Sequence, residues 1–454
     1  MKIRFILFVA LITFAEGLSL SAQPLGKQVV SMQVGVAKIN ITPKSPAFMT
    51  GYANRDKPSE GVLHDLWAKT LVLSNQKEKM IIVTTDLLGL SHQVSVEVAE
   101  KIQKKLGIER RQLMFNSSHT HSGPMIWPSL SVIAEYNPEE QKIVSEYTQV
   151  LVDKLIDVIT NAYTHQEPMQ VSVGHTSADF AINRRALAAQ KNGINLPGPM
   201  DHDVPVLKFM NSSGEIKAIL FGYACHNTTL MGNNYLINGD YAGFAQIEIE
   251  KKIPTATAFF VLGCAGDQNP EPRGTVELAT KHGNSLAGQV VNLVTSKECK
   301  PIKNELQSYF STIPLKFKKV SVADYQKDLQ SPDKFIQRRA KLMLEAYNKG
   351  WNTETYPYPI QGIRLGNEFR MIALGGEVVV DYSLRTKKEF PDKNIFVAGY
   401  SNEVMCYIPS ERVLNEGGYE ADSSMIYYGM PGPFENGIEE KIMAAIYETL
   451  KKIK

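Results

Sequence analysis

The amino-acid sequence predicts a mixed α/β (α+β) fold built as one large domain. Short β-branched and aromatic runs alternate with stretches of helical spacing along the whole chain. No internal repeat, low-complexity tract or long Pro/Gly linker divides it, and 454 residues with 43% hydrophobic content suffice for one sizeable core. Charged residues make up 21% and the formal net charge is +2, so no strong overall field exists to gather nucleic acid or anionic lipid.

Taken from the N-terminus, Lys2 and Arg4 precede an apolar run over 5–14 that only Thr13 interrupts, and small residues follow at Ser19, Ser21 and Ala22. This is the pattern of a secretory signal peptide over 1–22, too short to span a bilayer. It predicts export to the periplasm or beyond, with 23–454 as the mature domain and no stable membrane insertion. Strands are expected over 71–73, 80–85, 113–116, 170–173, 206–209, 216–223 and 258–262. Helices are expected over 94–106, 139–163, 242–251, 277–295 and 438–453. The stretch 316–356 is more charged and helical, which reads as an insertion or a cap. Cys225, Cys264, Cys299 and Cys406 are too few for a disulfide scaffold and read as small packing residues.

The chemistry is expected where strands end. His119 and His121, in His119-Thr120-His121-Ser122-Gly123-Pro124, follow the strand-like 113–116. On an extended backbone, residues two apart point the same way, so both imidazoles can converge on one point. Such a pair suits a borderline-soft cation such as zinc, and equally a hydrogen-bonded or surface pair. His226 follows the apolar run 216–223; alone it reads as a satisfied core histidine. Glu377 stands between Gly375-Gly376 and an apolar run, where a carboxylate is costly to bury unless it is paired or holds a metal. Otherwise it is an exposed turn glutamate. Tyr407 lies in a partly apolar run over 395–408 and by itself reads as core.

Spacing does not join these sites; a resemblance does. Landmarks appear in order: 35–42; Met49-Thr50-Gly51-Tyr52-Ala53; Gly61-Val62-Leu63-His64; the 119–124 hexapeptide; Asn183-Arg184; His226; Gly239-Asp240; Gly266-Asp267; Gly376-Glu377; and the block from Gly399 through Tyr407 to Tyr419-Glu420. On these residues the chain resembles the catalytic domain of the neutral/alkaline ceramidases over about 34–429. The resemblance implies that family's N-terminal fold, with no C-terminal immunoglobulin-like domain expected. It implies one zinc ion held by His119, His226, Glu377 and Tyr407. It also implies that His121 faces the reacting group, that Arg184 binds the polar end of the substrate, and that Tyr419 is a second active-site tyrosine. Two imidazoles, a carboxylate and a phenol leave zinc an open position for water or a substrate oxygen. His121 can move a proton near neutral pH, and the Arg184 fork suits a carboxylate or polarised oxygen.

The match breaks at the family nucleophile, a serine in a Gly-Asp-x-Ser-Pro-Asn pattern. Here the run is Gly266-Asp267-Gln268-Asn269-Pro270-Glu271, and an amide is no nucleophile. Asp267 and Asn269 are then expected to contact substrate. Cys264 reads as a buried, inert thiol, and Ser122 as a turn-shaping residue. Three functions stay open. The first is a secreted zinc hydrolase in which metal-activated water attacks an amide or related bond, with a polar substrate rather than ceramide. The second is a metal-assisted lyase or dehydratase acting on uronate-containing oligosaccharides. The third is a non-catalytic binding protein, disfavoured because polar groups around an empty buried site cost desolvation. The substrate is accordingly a small molecule, lipid amide or oligosaccharide, and nucleic acid is not a partner. Trp127, Trp351, Tyr356 and Tyr358 are candidates to stack on sugar rings, or else pack. His64, Asp65 and Asp86 are assigned structural roles. Asn-x-Ser/Thr triplets at Asn40, Asn116, Asn211 and Asn227 read as coincidence.

Overall fold

Apolar runs build the first sheet of the structure, a computed structural model that describes residues 31–185, 198–391 and 394–454. The signal-like segment 1–22 lies outside the described residues. Strands β1 (Met32–Asn40), β2 (Trp67–Ser74), β3 (Lys79–Thr85), β4 (Leu113–Ser117), β5 (Gln166–Ser177), β6 (Asp203–Asn211), β7 (Ile216–Tyr223) and β8 (Thr257–Leu262) run in the order β8-β7-β6-β5-β1-β2-β3-β4. The β7–β8 and β3–β4 pairs are parallel; the other pairs are antiparallel.

Side chains alternate across this sheet, as the period-2 pleat demands. Leu71 and Leu73 face one core; Val72 faces another. One face is covered by helices α1 (His92–Leu106), α2 (Pro138–Thr164), α3 (Asp240–Lys252) and α4 (Val276–Thr295). The sequence marks their ends: Ser91 caps α1 by accepting from the Val94 amide, and Asn137 and Glu140 form a reciprocal capping box on α2.

The other face packs on a second sheet, β9 (Leu306–Lys316), β10 (Thr355–Leu365), β11 (Phe369–Leu374) and β12 (Ile395–Ala398), in that order. Ile363, Met371 and Phe396 meet Leu71, Ile82 and Leu220 between the sheets. The outer face of the second sheet is closed by the C-terminal helix Ile438–Lys452 through Ile442 and Ile446. The result is four layers, helix–sheet–sheet–helix, in one unit over 31–454.

The strands and helices expected between 71 and 295, and the closing helix, form within a few residues of their expected bounds. The charged stretch 316–356 leaves the second sheet at Lys316 and returns at Thr355, which pair with each other. It carries the helices Val322–Asp328 and Lys334–Asn348 between those ends. The second sheet itself was not expected as a sheet.

Layering matters for function because strand ends from both sheets meet. Isolated bridges Asn116–Ser401 and Gly263–Ala398 tie the ends of β4 and β8 to the end of β12. Asn116, at the end of β4, fixes this meeting. Its Oδ1 accepts from the Leu262 amide of β8 at 2.8 Å, and its Nδ2 donates to the Gly399 carbonyl just after β12 at 2.8 Å. Asn116 and Asn227 are wholly buried, so neither is a surface glycosylation acceptor. The four cysteines are free, three of them buried.

Candidate metal centre

The loops that leave β4, β7, β11 and β12 each bring one polar group to the same point. His119 follows β4 in the left-handed region, φ 60°, which costs about 1–3 kcal/mol for a non-glycine residue. Two bonds hold it there: its amide donates to the Leu87 carbonyl at 2.8 Å, and its Nδ1 lies 2.6 Å from the Leu88 carbonyl. The extended backbone expected for His119-Thr120-His121 is therefore not formed. The two imidazoles still meet, with centroids 4.8 Å apart, through a turn rather than through strand alternation.

His226 follows β7, and its Nδ1 lies 2.6 Å from the Ala265 carbonyl. A carbonyl can only accept, so in both histidines the ring proton sits on Nδ1 and Nε2 is bare. Burial, above all, drives the His226 pKa down to about 4, so the ring is neutral. Glu377 follows β11 after Gly376, whose φ of 75° and approach to the Cys406 carbonyl leave no room for a side chain. Glu377 then pairs backbone to backbone with Tyr407 in the two-residue parallel ladder Glu377–Val378/Tyr407–Ile408. That ladder places the two residues side by side despite their separation in sequence.

The bare Nε2 atoms of His119 and His226 lie 3.1 and 3.0 Å from Glu377 Oε2. The Tyr407 hydroxyl is 3.4 Å from His226 Nε2. All four residues are at most 3% exposed. Burial opposes the Glu377 charge, so the carboxylate needs a positive charge beside it to stay ionised there. His119 Nε2 and Glu377 Oε2 have no hydrogen-bond partner. Two lone pairs thus face an anion with no proton between them, in a buried place where unmet polar groups are costly. A divalent cation fits this donor set. Among the described residues, the group with metal-ligand spacing is His119, His121 and His226, whose ligand atoms lie within 4.8 Å of one another.

His121 differs from the other two. Neither of its ring nitrogens has a protein partner. Burial first, then the neighbouring His119 and His226, push its pKa well below the usual value. The ring is held by packing: Tyr52 stands edge-on at 4.8 Å, and Arg55 donates to the His121 carbonyl at 2.5 Å. Gly51, φ 99°, supplies the room, since a Cβ there would sit 2.6 Å from the imidazole. His119, His121, Glu377, Tyr407 and Tyr419 line a cavity of about 190 Å³.

Arg184 lies behind this cavity. Its Nε donates to Glu420 at 2.6 Å and its Nη2 to the Tyr407 hydroxyl at 3.1 Å. Burial opposes its charge, yet Tyr407 and Glu420 hold it firmly protonated. Tyr419 is 44% exposed, edge-on to Tyr407 at 5.4 Å. Asn269 is buried in the short strand Gln268–Pro270, with Oδ1 3.5 Å from the Thr228 hydroxyl. Asp267, expected to contact substrate, spends its oxygens on the protein: Oδ1 accepts from the Val380 amide at 2.9 Å and Oδ2 from Asn183 at 2.8 Å. Neither Asn269 nor Asp267 lines the cavity. Cys264 is buried and its thiol pKa is raised by burial, which leaves it unreactive.

Other singled-out residues hold the scaffold. Asp86 accepts from the Trp67 amide and from Gln246, both at 2.9 Å. His64 packs on Phe244, and Asp65 accepts from Thr42 at 3.0 Å. Tyr358 is fully buried, with its hydroxyl on the Gly375 carbonyl, so it is no stacking platform. Trp127 stands edge-on to Tyr136. Trp351 and Tyr356 line a separate groove of about 580 Å³ that meets the metal-centre cavity at Leu130 and Tyr428. Two residues at the centre carry no sequence signal: Tyr400, whose ring is 4.6 Å from that of His119, and Tyr428, whose hydroxyl donates to Glu377 Oε1.

The structure defines a mixed α/β domain that gathers two imidazoles, a carboxylate and a phenol at its strand ends. The chain is a member of the neutral/alkaline non-lysosomal ceramidase family, whose N-terminal profile it matches over residues 32–312. It is 24% identical over 274 residues to the neutral ceramidase of Pseudomonas aeruginosa, covering 58% of this chain and 40% of that protein. It is 22% identical over 317 residues to the neutral ceramidase of Drosophila melanogaster, covering 65% of this chain and 42% of that protein. The chain thus spans less than half the length of these relatives. The crystal structure of the Pseudomonas aeruginosa neutral ceramidase superposes with a TM-score of 0.70 at 19% identity, over 86% of this chain and 70% of that one.

Proposed function

We propose that the protein is an exported, zinc-dependent hydrolase that cleaves an amide or related bond by direct attack of water, without an acylated side chain. The observation that carries this reading is the buried facing of two bare imidazole nitrogens and one carboxylate oxygen. His119, His226, Glu377 and Tyr407 would hold the ion. When bound, zinc polarises a carbonyl and makes water nucleophilic at neutral pH.

The chain's own residues supply the rest. His121, neutral and unpartnered, lines the cavity beside the ligands and takes the proton of the attacking water. It then returns that proton to the leaving amine as the C–N bond breaks, so protons balance over the cycle. Tyr419 lines the mouth, where its hydroxyl can bond a substrate oxygen. Arg184 fixes Tyr407 from behind and adds positive potential toward a developing oxyanion. Asn269 stands where the family has its serine, which supports a route without a covalent intermediate. A narrow cavity of about 190 Å³ lined by tyrosines and histidines favours a polar reacting end.

Elemental analysis tests the centre: one zinc per chain is expected in the wild type and in His121→Ala, and little in His226→Ala. Equal metal in the wild type and His226→Ala overturns the ligand set. N-acyl amides and acidic oligosaccharides, screened by mass spectrometry, test the reaction. Products heavier by one water in total identify hydrolysis; an ultraviolet-absorbing unsaturated uronate identifies elimination and overturns the proposal.

A further inference from the structure

Glu377 has two oxygens, and only Oε2 faces the histidines. The other, Oε1, receives the hydroxyl of Tyr428. We propose that Tyr428 is a positioning residue that makes Glu377 a one-oxygen ligand and so sets how tightly the centre keeps its cation. The inference rests on the metal-centre reading above and adds a residue to it.

A glutamate side chain has three torsions, and a carboxylate with both oxygens free can chelate a divalent cation through both or swing away. A donor fixed on Oε1 removes that freedom and leaves one lone-pair direction for the ion. Ligands held by an outer hydrogen bond in this way lose metal affinity when the bond is cut. A phenol suits the task, because its ordinary pKa near 10 keeps the O–H present as a donor at neutral pH.

The phenol is itself held firmly. Tyr428 follows the one-turn helix Ser424–Tyr427. Behind it, the Gly429 amide donates to the Ile426 carbonyl at 3.1 Å and the Met430 amide to the Met425 carbonyl at 3.0 Å. Gly429 has φ 65°, and a Cβ there would meet Leu342 of the helix Lys334–Asn348 at 2.7 Å. The Tyr428 ring stands edge-on to Tyr407 with centroids 6.4 Å apart. It also forms wall shared by the small cavity and the larger groove. Packing alone would be served as well by phenylalanine; only the hydroxyl reaches Glu377.

The test is Tyr428→Phe in the full chain, compared with the wild type and His226→Ala. Zn²⁺ affinity is measured by competition with a chromophoric chelator, and the Co²⁺-loaded protein is read by its visible absorption. Tyr428→Phe is expected to bind Zn²⁺ about 10- to 100-fold more weakly, with a shifted Co²⁺ spectrum as Glu377 gains freedom. The metal-free protein is expected to lose no more stability than one buried hydrogen bond supplies, and to keep a single cooperative unfolding transition, whereas a packing defect would broaden or split it. Wild-type affinity and spectrum in Tyr428→Phe, with binding lost in His226→Ala, overturn the role of Tyr428 alone. Undiminished binding in His226→Ala overturns the metal centre and this role together.

Discussion

His121 is placed by shape rather than by hydrogen bonds, since no protein group meets either ring nitrogen. Its position therefore depends on the bare backbone of Gly51. Gly51→Ala is expected to push the imidazole aside and lower turnover about 100-fold, the scale of a 1 Å misplacement, while zinc content stays at the wild-type level. A variant that loses metal and activity together would refute this division of labour. Asn269 points to the opposite outcome. Asn269→Ala is expected to keep turnover within a few-fold, whereas His121→Ala abolishes it; steady-state kinetics on one N-acyl substrate decides between them. The histidines were legible because each follows an apolar strand-like run. Tyr428 was not, because Met-Ile-Tyr-Tyr-Gly-Met offers no periodicity that separates a buried donor from a core aromatic. Asp267 shows a related limit: a motif shows that a carboxylate is needed but not whether substrate or protein amides use it, and here its oxygens accept from the Val380 amide and Asn183.

Among the elements, those bounded by caps or by continuous apolar runs were visible in advance. The second sheet was hidden by its prolines. Pro314, Pro357 and Pro359 argue against central strands, since proline gives no ladder donor. Here they lie where β10 pairs with β9 alone: Pro314 opposite Pro357, and Pro359 opposite Thr312, while β11 joins only from Ile360 onward. The ladder joining Glu377 to Tyr407 is two residues long, below any pattern a sequence can display. A longer contact gives a pH-dependent tie at the β5–β6 edge. His175 Nδ1 lies 2.8 Å from Asp203, which also receives Lys387 at 2.9 Å. Burial lowers the His175 pKa, but the bond and charge of Asp203 outweigh it and raise the net value. Burial raises that of Asp203, but His175 and Lys387 outweigh it and lower the net value. The histidine contribution is thus full below its unfolded pKa of about 6.5 and fades as pH climbs through the raised folded value. The aspartate contribution fades only as pH falls below about 4. The stability gap between wild type and His175→Gln, from urea midpoints, is expected to be wider at about pH 5.5 than at about pH 8. A gap that does not change with pH would remove the tie.

On the scale of the whole molecule, the centre sits where two sheets and their loops converge, so a cation held there would stabilise the fold that assembles its ligands. Chelation is expected to lower the thermal midpoint of the wild type and to leave His226→Ala unmoved, as read by calorimetry. Free zinc at 1,000 times its Kd adds about 4 kcal/mol to the folded state. Among the described residues no helix is long and apolar enough to cross a membrane, and the formal net charge of +2 adds no strong pull toward one. The family and the mixed α/β class were legible from motif order and from the alternation of strand-like and helical runs. The depth of the cavity was not, because it is set by side chains from loops far apart in the chain. The Asn116 clasp carries one more consequence. It closes only once Leu262 and Gly399 are both in place, and the four proposed ligands run from position 119 to position 407. Contacts this distant along a polypeptide form late, after the loops between them have closed. An unfinished chain therefore carries loose histidines but no complete cage. On the proposed ligand set, metallation would belong to the last stage of maturation, in whichever compartment the finished chain folds.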